Sequence, residues 1–86
     1  MKIELSLFGA FRDYSSAAQL NLEVADGARV AELRAALNDH GVQHWPGFKP
    51  GLLARSAFAS ETQMLRDAEA IPADGRMAVL PPVSGG

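Results

Sequence analysis

The chain of 86 residues contains no cysteine. That removes a disulfide framework, a thiol nucleophile and any thiolate metal site. It also lacks a long apolar run: nothing approaches the roughly 18 residues a membrane span needs. There is no basic excess either. A net charge of −2 argues against nucleic acid, which calls for a positive face. The opening residues are not those of a secretory signal, because Glu4 interrupts them and no long apolar segment follows. These absences point to a cytoplasmic protein. Charged residues at 21% are too few for a disordered chain, and an apolar fraction of 48% suits a globular one. At this length one domain is expected, burying about 60–65% of the surface its unfolded chain exposes.

Hydrophobic periodicity organises the rest. Residues 2–8 alternate, with Ile3, Leu5 and Leu7 on one side and Glu4, Ser6 and Phe8 on the other, which predicts a half-buried strand. Residues 9–16 read as a turn, with one helical turn around Phe11 to Tyr14. Leu20, Leu22 and Val24 alternate again as a second strand, ended by Asp26-Gly27. The clearest helix is 28–39, where Val30, Leu33 and Leu37 recur at three- and four-residue steps and Arg29, Glu32, Arg34 and Asp39 lie off that stripe. Burying those three large side chains contributes roughly 1.5–3 kcal/mol each. Its N-cap is poor: Asp26 is the candidate, and Arg29 stands where a capping box wants Ser or Thr. Gly41 reads as the C-terminal stop. Residues 40–53, cut by Gly41, Pro46, Gly47, Pro50 and Gly51, read as a long loop. A third strand is expected at 53–60, a short fourth at 62–65, a connection at 67–72, a turn at Asp74-Gly75 and a last strand at 76–80. Pro81, with no amide hydrogen for a ladder, ends it. This order predicts an α+β domain with one helix lying across one sheet.

The end of the chain, "LPPVSGG", has a graded design. Pro81 and Pro82 fix φ near −65° and favour an extended path away from the sheet. Val83 and Ser84 are compact. Gly85 and Gly86 carry no Cβ and can enter a channel too narrow for other residues. The group delivered is the α-carboxylate of Gly86, which must be activated before acyl chemistry, for instance as a mixed anhydride with AMP. Displacement of AMP by a sulfide source would leave a thiocarboxylate, a way to carry sulfur without cysteine.

The segments "LFGAFRD", "DGARVAELRAAL" and "DGRMAVLPPVSGG" together resemble the small, sulfur-carrying subunit of molybdopterin synthase, and the resemblance spans nearly the whole chain. It implies a ubiquitin-like β-grasp fold: about five strands of a mixed sheet packed on one main helix, with a projecting tail at 81–86. It implies that Gly86, beside its required neighbour Gly85, is adenylated by an ATP-dependent, ubiquitin-activating-like enzyme and converted to a thiocarboxylate. The tail would then enter the large subunit, where its sulfur builds the dithiolene of molybdopterin from a cyclic pyranopterin monophosphate. The synthase would be a heterotetramer, and the small subunit would bind no cofactor itself. Arg29 replaces a Thr common in that family at the helix cap, and Leu80 an aromatic residue common before Pro-Pro.

Other readings of the same tail stay open. It would serve a sulfur carrier for thiazole, cysteine or tRNA thiolation, a ubiquitin-like modifier joined to lysines, or a β-grasp interaction module with an idle terminus.

The strand phases add a surface. Phe8, Ala78 and Leu80 face away from the core, and in a β-grasp sheet the first and last strands are parallel neighbours. These residues would form an apolar patch at the root of the tail, continuing into Pro81, Pro82, Val83 and Ser84 as a partner-binding surface. Phe58, flanked by Ala57 and Ala59, has no fixed phase. His40 and His44 have the spacing of a metal pair on a helix, but the glycine and Trp45-Pro46 breaks speak against a helix there, and no metal site is expected. Trp45 and Phe48 read as plugs at the edge of the core, and Tyr14 as packed behind its turn. Arg12, Asp13, Ser15 and Ser16 form no nucleophile setting.

Overall fold

The computed structural model describes residues 1–82. Strand β1 (Lys2–Leu7) is followed by a 3-10 helix (Gly9–Tyr14) and by β2 (Gln19–Glu23). Helices α1 (Val30–His44) and α2 (Pro50–Ala54) come next, then β3 (Ala57–Ala59), β4 (Met64–Leu65) and β5 (Arg76–Leu80). The five strands form one sheet in the order β2-β1-β5-β3-β4. β1 and β5 run parallel at its centre, with Leu5 opposite Met77 and Leu7 opposite Val79, and the other pairings are antiparallel. This is the β-grasp, ubiquitin-like architecture.

The core lies between one sheet face and α1. Ile3, Leu5 and Leu7 from β1, Met77 and Val79 from β5 and Phe58 from β3 meet Val30, Leu33 and Leu37 of the helix, with Phe11, Leu53 and Ile71 closing the rim. Each is almost wholly buried, as period 2 in the strands and period 3.6 in the helix require.

The start of α1 explains how a helix begins without Ser or Thr. Asp26 does not cap it; its carboxylate lies 3.0 Å from the Met1 amino group. The cap is Arg29, whose backbone amide donates to the Glu32 carboxylate at 3.2 Å. A guanidinium has no acceptor, so the reciprocal half of a capping box cannot form. Tertiary partners replace it: the amides of Val30 and Ala31 donate to the carbonyls of Glu69 and Asp67, both at 3.0 Å. The orphan donors of the first turn are thus satisfied by the segment before β5.

Four local expectations are corrected. α1 does not stop at Gly41 but runs on to His44. Gly41 is buried, and a Cβ there would fall 2.7 Å from the Phe48 ring. The glycine is present for that close approach, and the helix ends where the chain turns extended at Trp45, before Pro46. The supposed loop at 40–53 therefore comprises the last turn of α1, a short connection and α2. Pro50 starts α2 at a position where a proline costs no hydrogen bond. The third strand shrinks to Ala57–Ala59, because Leu53 belongs to α2 and plugs the core, and the fourth is only Met64–Leu65. Phe58 faces inward and belongs to the core.

One polar side chain ties these pieces together. Arg34 donates to the carbonyls of Leu53 and Ser56 at 2.7 and 2.8 Å and to the Asp67 carboxylate at 2.8 Å. Its guanidinium carbon lies 4.9 Å from the centre of the Phe58 ring. It fastens α1 to the end of α2, the start of β3 and the segment that caps α1.

Candidate functional site

β5 sits in the middle of the sheet, and its last residue leads directly into Pro81 and Pro82. Pro81 is half-buried and Pro82 exposed. Gly9, with φ +57°, receives the Pro81 ring: a Cβ there would lie 2.5 Å from the proline Cγ. A side chain at Gly9 would both strain the backbone and displace the proline. The turn after β1 is thus shaped to seat the first residue of the tail. Val83, Ser84, Gly85 and Gly86 lie outside the described residues.

The sheet face turned away from α1 surrounds this exit. Phe8 is 45% exposed, one position beyond the Leu7–Val79 pair and so level with Leu80. Ala78 and Leu80 are half-buried on the same face, across from Ala59 and Ala57 of β3. Ala59 in turn pairs with Met64, which is 58% exposed. Phe8, Ala78, Leu80 and Met64 therefore belong to one apolar area beside the tail root. Sequence reading missed Met64, since a two-residue strand offers no alternation to read.

Toward the start of β5 the face turns polar. A shallow cavity of about 380 Å³ is lined by Glu4, Ser6, Ser60, Glu61 and Arg76 together with Phe8, Met77 and Ala78. Leu80 lies outside this lining. Arg76 and Glu61 pair at 3.6 Å, both well exposed, an arrangement worth little to stability. Gln19 donates to Glu4 at 2.9 Å. The face thus combines an apolar end near Pro81 with charges of both signs at the other, the composition of a transient protein interface with a polar rim.

The remaining candidates fall elsewhere. Tyr14 stacks on Trp45 with ring centroids 5.0 Å apart, and Phe48 meets both rings edge-on. Trp45 is buried, so these aromatics close the far rim of the core. Ser15 accepts a bond from the Ala17 amide and has no base beside it. His40 and His44 do lie on a helix, contrary to expectation, with ring centroids 4.7 Å apart. Burial, with the His44 charge adding to it, holds the His40 imidazole below its ordinary pKa. Among the described residues no cluster of three metal-ligating side chains occurs, and no helix is long and apolar enough to cross a membrane.

Comparison with known proteins agrees with this geometry. The sequence pattern described as the ThiS family matches residues 5–86, so it runs through the tail. No curated protein matches. The crystal structure of SAMP1 from Haloferax volcanii is similar over 100% of both chains, with a TM-score of 0.73 and 22% identity, a likeness of fold. Members of the matched family partner with activating enzymes and with sulfur-transfer enzymes. A sheet that aims its central strand at a proline-stiffened tail, matched along nearly its whole length by one family pattern, shows that the chain belongs to the ThiS family of ubiquitin-like sulfur carriers.

Proposed function

We propose that this chain is the sulfur-carrying small subunit of molybdopterin synthase, a single β-grasp domain whose chemistry resides in the carboxyl group of Gly86. The observation that carries the reading is the run from β5 through Pro81-Pro82 to Gly85-Gly86, within the span of the family match. In the first step the Gly86 carboxylate attacks the α-phosphorus of ATP on an adenylating enzyme, releasing pyrophosphate and giving an acyl adenylate. A sulfide-equivalent donor then adds to the acyl carbon, AMP leaves, and the thiocarboxylate remains. Gly85 and Gly86 lack a Cβ, so the approach to that carbon is open. ATP is used by the activating enzyme, and this chain contributes the acyl group and binds no cofactor of its own.

Both partners dock on the face around the tail root. Phe8, Ala78 and Leu80, with Pro81 and Pro82, supply the apolar contact, and Val83 and Ser84 follow the glycines into the partner's channel. In the large subunit the thiocarboxylate sulfur displaces an oxygen substituent from a side-chain carbon of a cyclic pyranopterin monophosphate, water then cleaves the acyl–sulfur bond and restores the Gly86 carboxylate, and two such transfers complete a dithiolene. The same proposal places activation and sulfur transfer in the cytoplasm.

The test is mass spectrometry of the chain incubated with an adenylating enzyme, ATP and a sulfide donor. The expected product is heavier by the exchange of one oxygen for sulfur, and a variant extended by one residue after Gly86 stays unmodified. An unchanged mass overturns the carrier chemistry. The pathway is tested separately, by adding the large subunit and the cyclic pterin: dithiolene product supports the assignment. Sulfur transfer to a thiazole precursor or to tRNA instead, or a ladder of lysine conjugates, overturns the pathway while leaving the carrier intact.

A further inference from the structure

The last turn of α1 carries a feature that sulfur transfer does not use. His40 and His44 are four residues apart on a helix that continues through Gly41, so both side chains emerge from the same face. Their ring centroids are 4.7 Å apart, at an interplanar angle of 41°. His40 is half-buried and meets the Trp45 ring edge-on at 5.3 Å, which holds its imidazole in place. His44 is exposed and reaches the same side of the helix from one turn further on. Among the described residues neither ring takes part in a side-chain hydrogen bond, in contrast to Arg34 or Ser56. Both imidazoles lie at the C-terminal end of a 15-residue helix, where the backbone carbonyls present partial negative charge that favours a cation.

We propose that His40 and His44 form a two-imidazole binding site for a divalent cation of the copper, nickel or zinc class. The ligand chemistry selects that class, because imidazole suits these metals and has little affinity for calcium or magnesium. With no third protein ligand among the described residues, water completes the coordination sphere, and the site is open to solvent. The expected preference puts Cu²⁺ above Ni²⁺ and Zn²⁺. Binding fastens the end of α1 to the turn before it, on which Trp45 and Phe48 pack.

Trp45 is the one tryptophan of the chain and touches His40, so it reports the site directly. The full-length protein is titrated with copper(II), nickel(II) and zinc(II) salts in a non-coordinating buffer at neutral pH. Expected are saturable, one-to-one quenching of Trp45 fluorescence by Cu²⁺ and a zinc-dependent rise in melting temperature. His44→Gln, at an exposed position, should fold normally, lose the zinc effect and raise the copper midpoint by about tenfold or more, the scale of damage done when a metal-ligating histidine is disturbed. Quenching that fails to saturate, or that His44→Gln leaves unchanged, overturns the proposal; the Met1 amino group would then be the rival ligand. Zinc stabilisation equal in both proteins overturns it equally.

Discussion

Replacing Gly41 by alanine sets two calculable effects against each other. In a helix interior alanine is favoured over glycine by about 1 kcal/mol. The structure opposes that gain: the new Cβ would lie 2.7 Å from Cδ1 and Cε1 of Phe48 and 2.8 Å from its Cγ. Carbon atoms in ordinary contact stand about 3.5–4.0 Å apart, so the ring must retreat by roughly 1 Å. It has little freedom to do so. Phe48 is wedged edge-on against Tyr14 and Trp45, its amide donates to the Trp45 carbonyl at 3.1 Å, and Pro50 begins α2 two residues later. Overpacking of this kind costs about 1–3 kcal/mol. The net expectation for Gly41→Ala is a loss of about 1 kcal/mol, or roughly 4–8 °C in Tm for a domain of this size. With Phe48→Ala in place the clash is gone, and the same substitution should stabilise by about 1 kcal/mol. Urea melts of the four proteins then give a coupling energy of about 2 kcal/mol. Stabilisation of the wild-type background by Gly41→Ala, or a coupling indistinguishable from zero, would refute the account of why α1 contains this glycine.

Three further outcomes follow from other contacts. Arg34→Met should cost about 2–4 kcal/mol in chemical denaturation, because the carbonyls of Leu53 and Ser56 and the Asp67 carboxylate lose a shared charged donor; Arg34→Lys, lacking the planar fork, should recover only part of it. Leu80→Asp should weaken binding to the proposed activating enzyme and large subunit while shifting Tm little, measured by calorimetry and thermal melts on the same preparation, since Leu80 faces away from the core. In chelated, metal-free buffer, His40 should make the fold acid-sensitive. Its folded pKa lies below the ordinary imidazole value of about 6.5, so the unfolded chain takes the proton first. Stability is therefore full above that value and declines as pH falls below it, and His40→Gln should flatten this part of the profile relative to wild type.

Much of this architecture can be read directly from the residues, and the exceptions share a cause. β5 is legible to the residue, because Met77 and Val79 alternate with their neighbours and Pro81 forbids further pairing. The outward phase of Phe8, Ala78 and Leu80 follows from the same alternation once β1 and β5 are parallel neighbours. Gly41 misleads because a glycine that ends a helix and one that admits an aromatic ring are identical in sequence; the discriminating partner, Phe48, arrives only through tertiary packing. Pro50 likewise reads as a breaker until the helix it opens is seen. Arg34 looks like a solvent-facing charge on the back of α1, yet its guanidinium donates to the carbonyls of Leu53 in α2 and of Ser56 just before β3. Phe58 sits in a three-residue strand, too short for its phase to be fixed by its own alternation. Three-dimensional closure decided each of these positions, whereas the long strands and the front of α1 were settled by local pattern.

The parallel pairing of β1 with β5 also determines how the molecule responds to force. Traction applied at the tail runs through Leu80 into the central strand, not into an edge. Resistance from the beginning of β1 would load the ladder between the two strands lengthwise, so its hydrogen bonds must yield together in shear instead of opening one after another like a zip. A partner gripping the extremity can thus tug, turn over and let go while the domain behind it holds its shape.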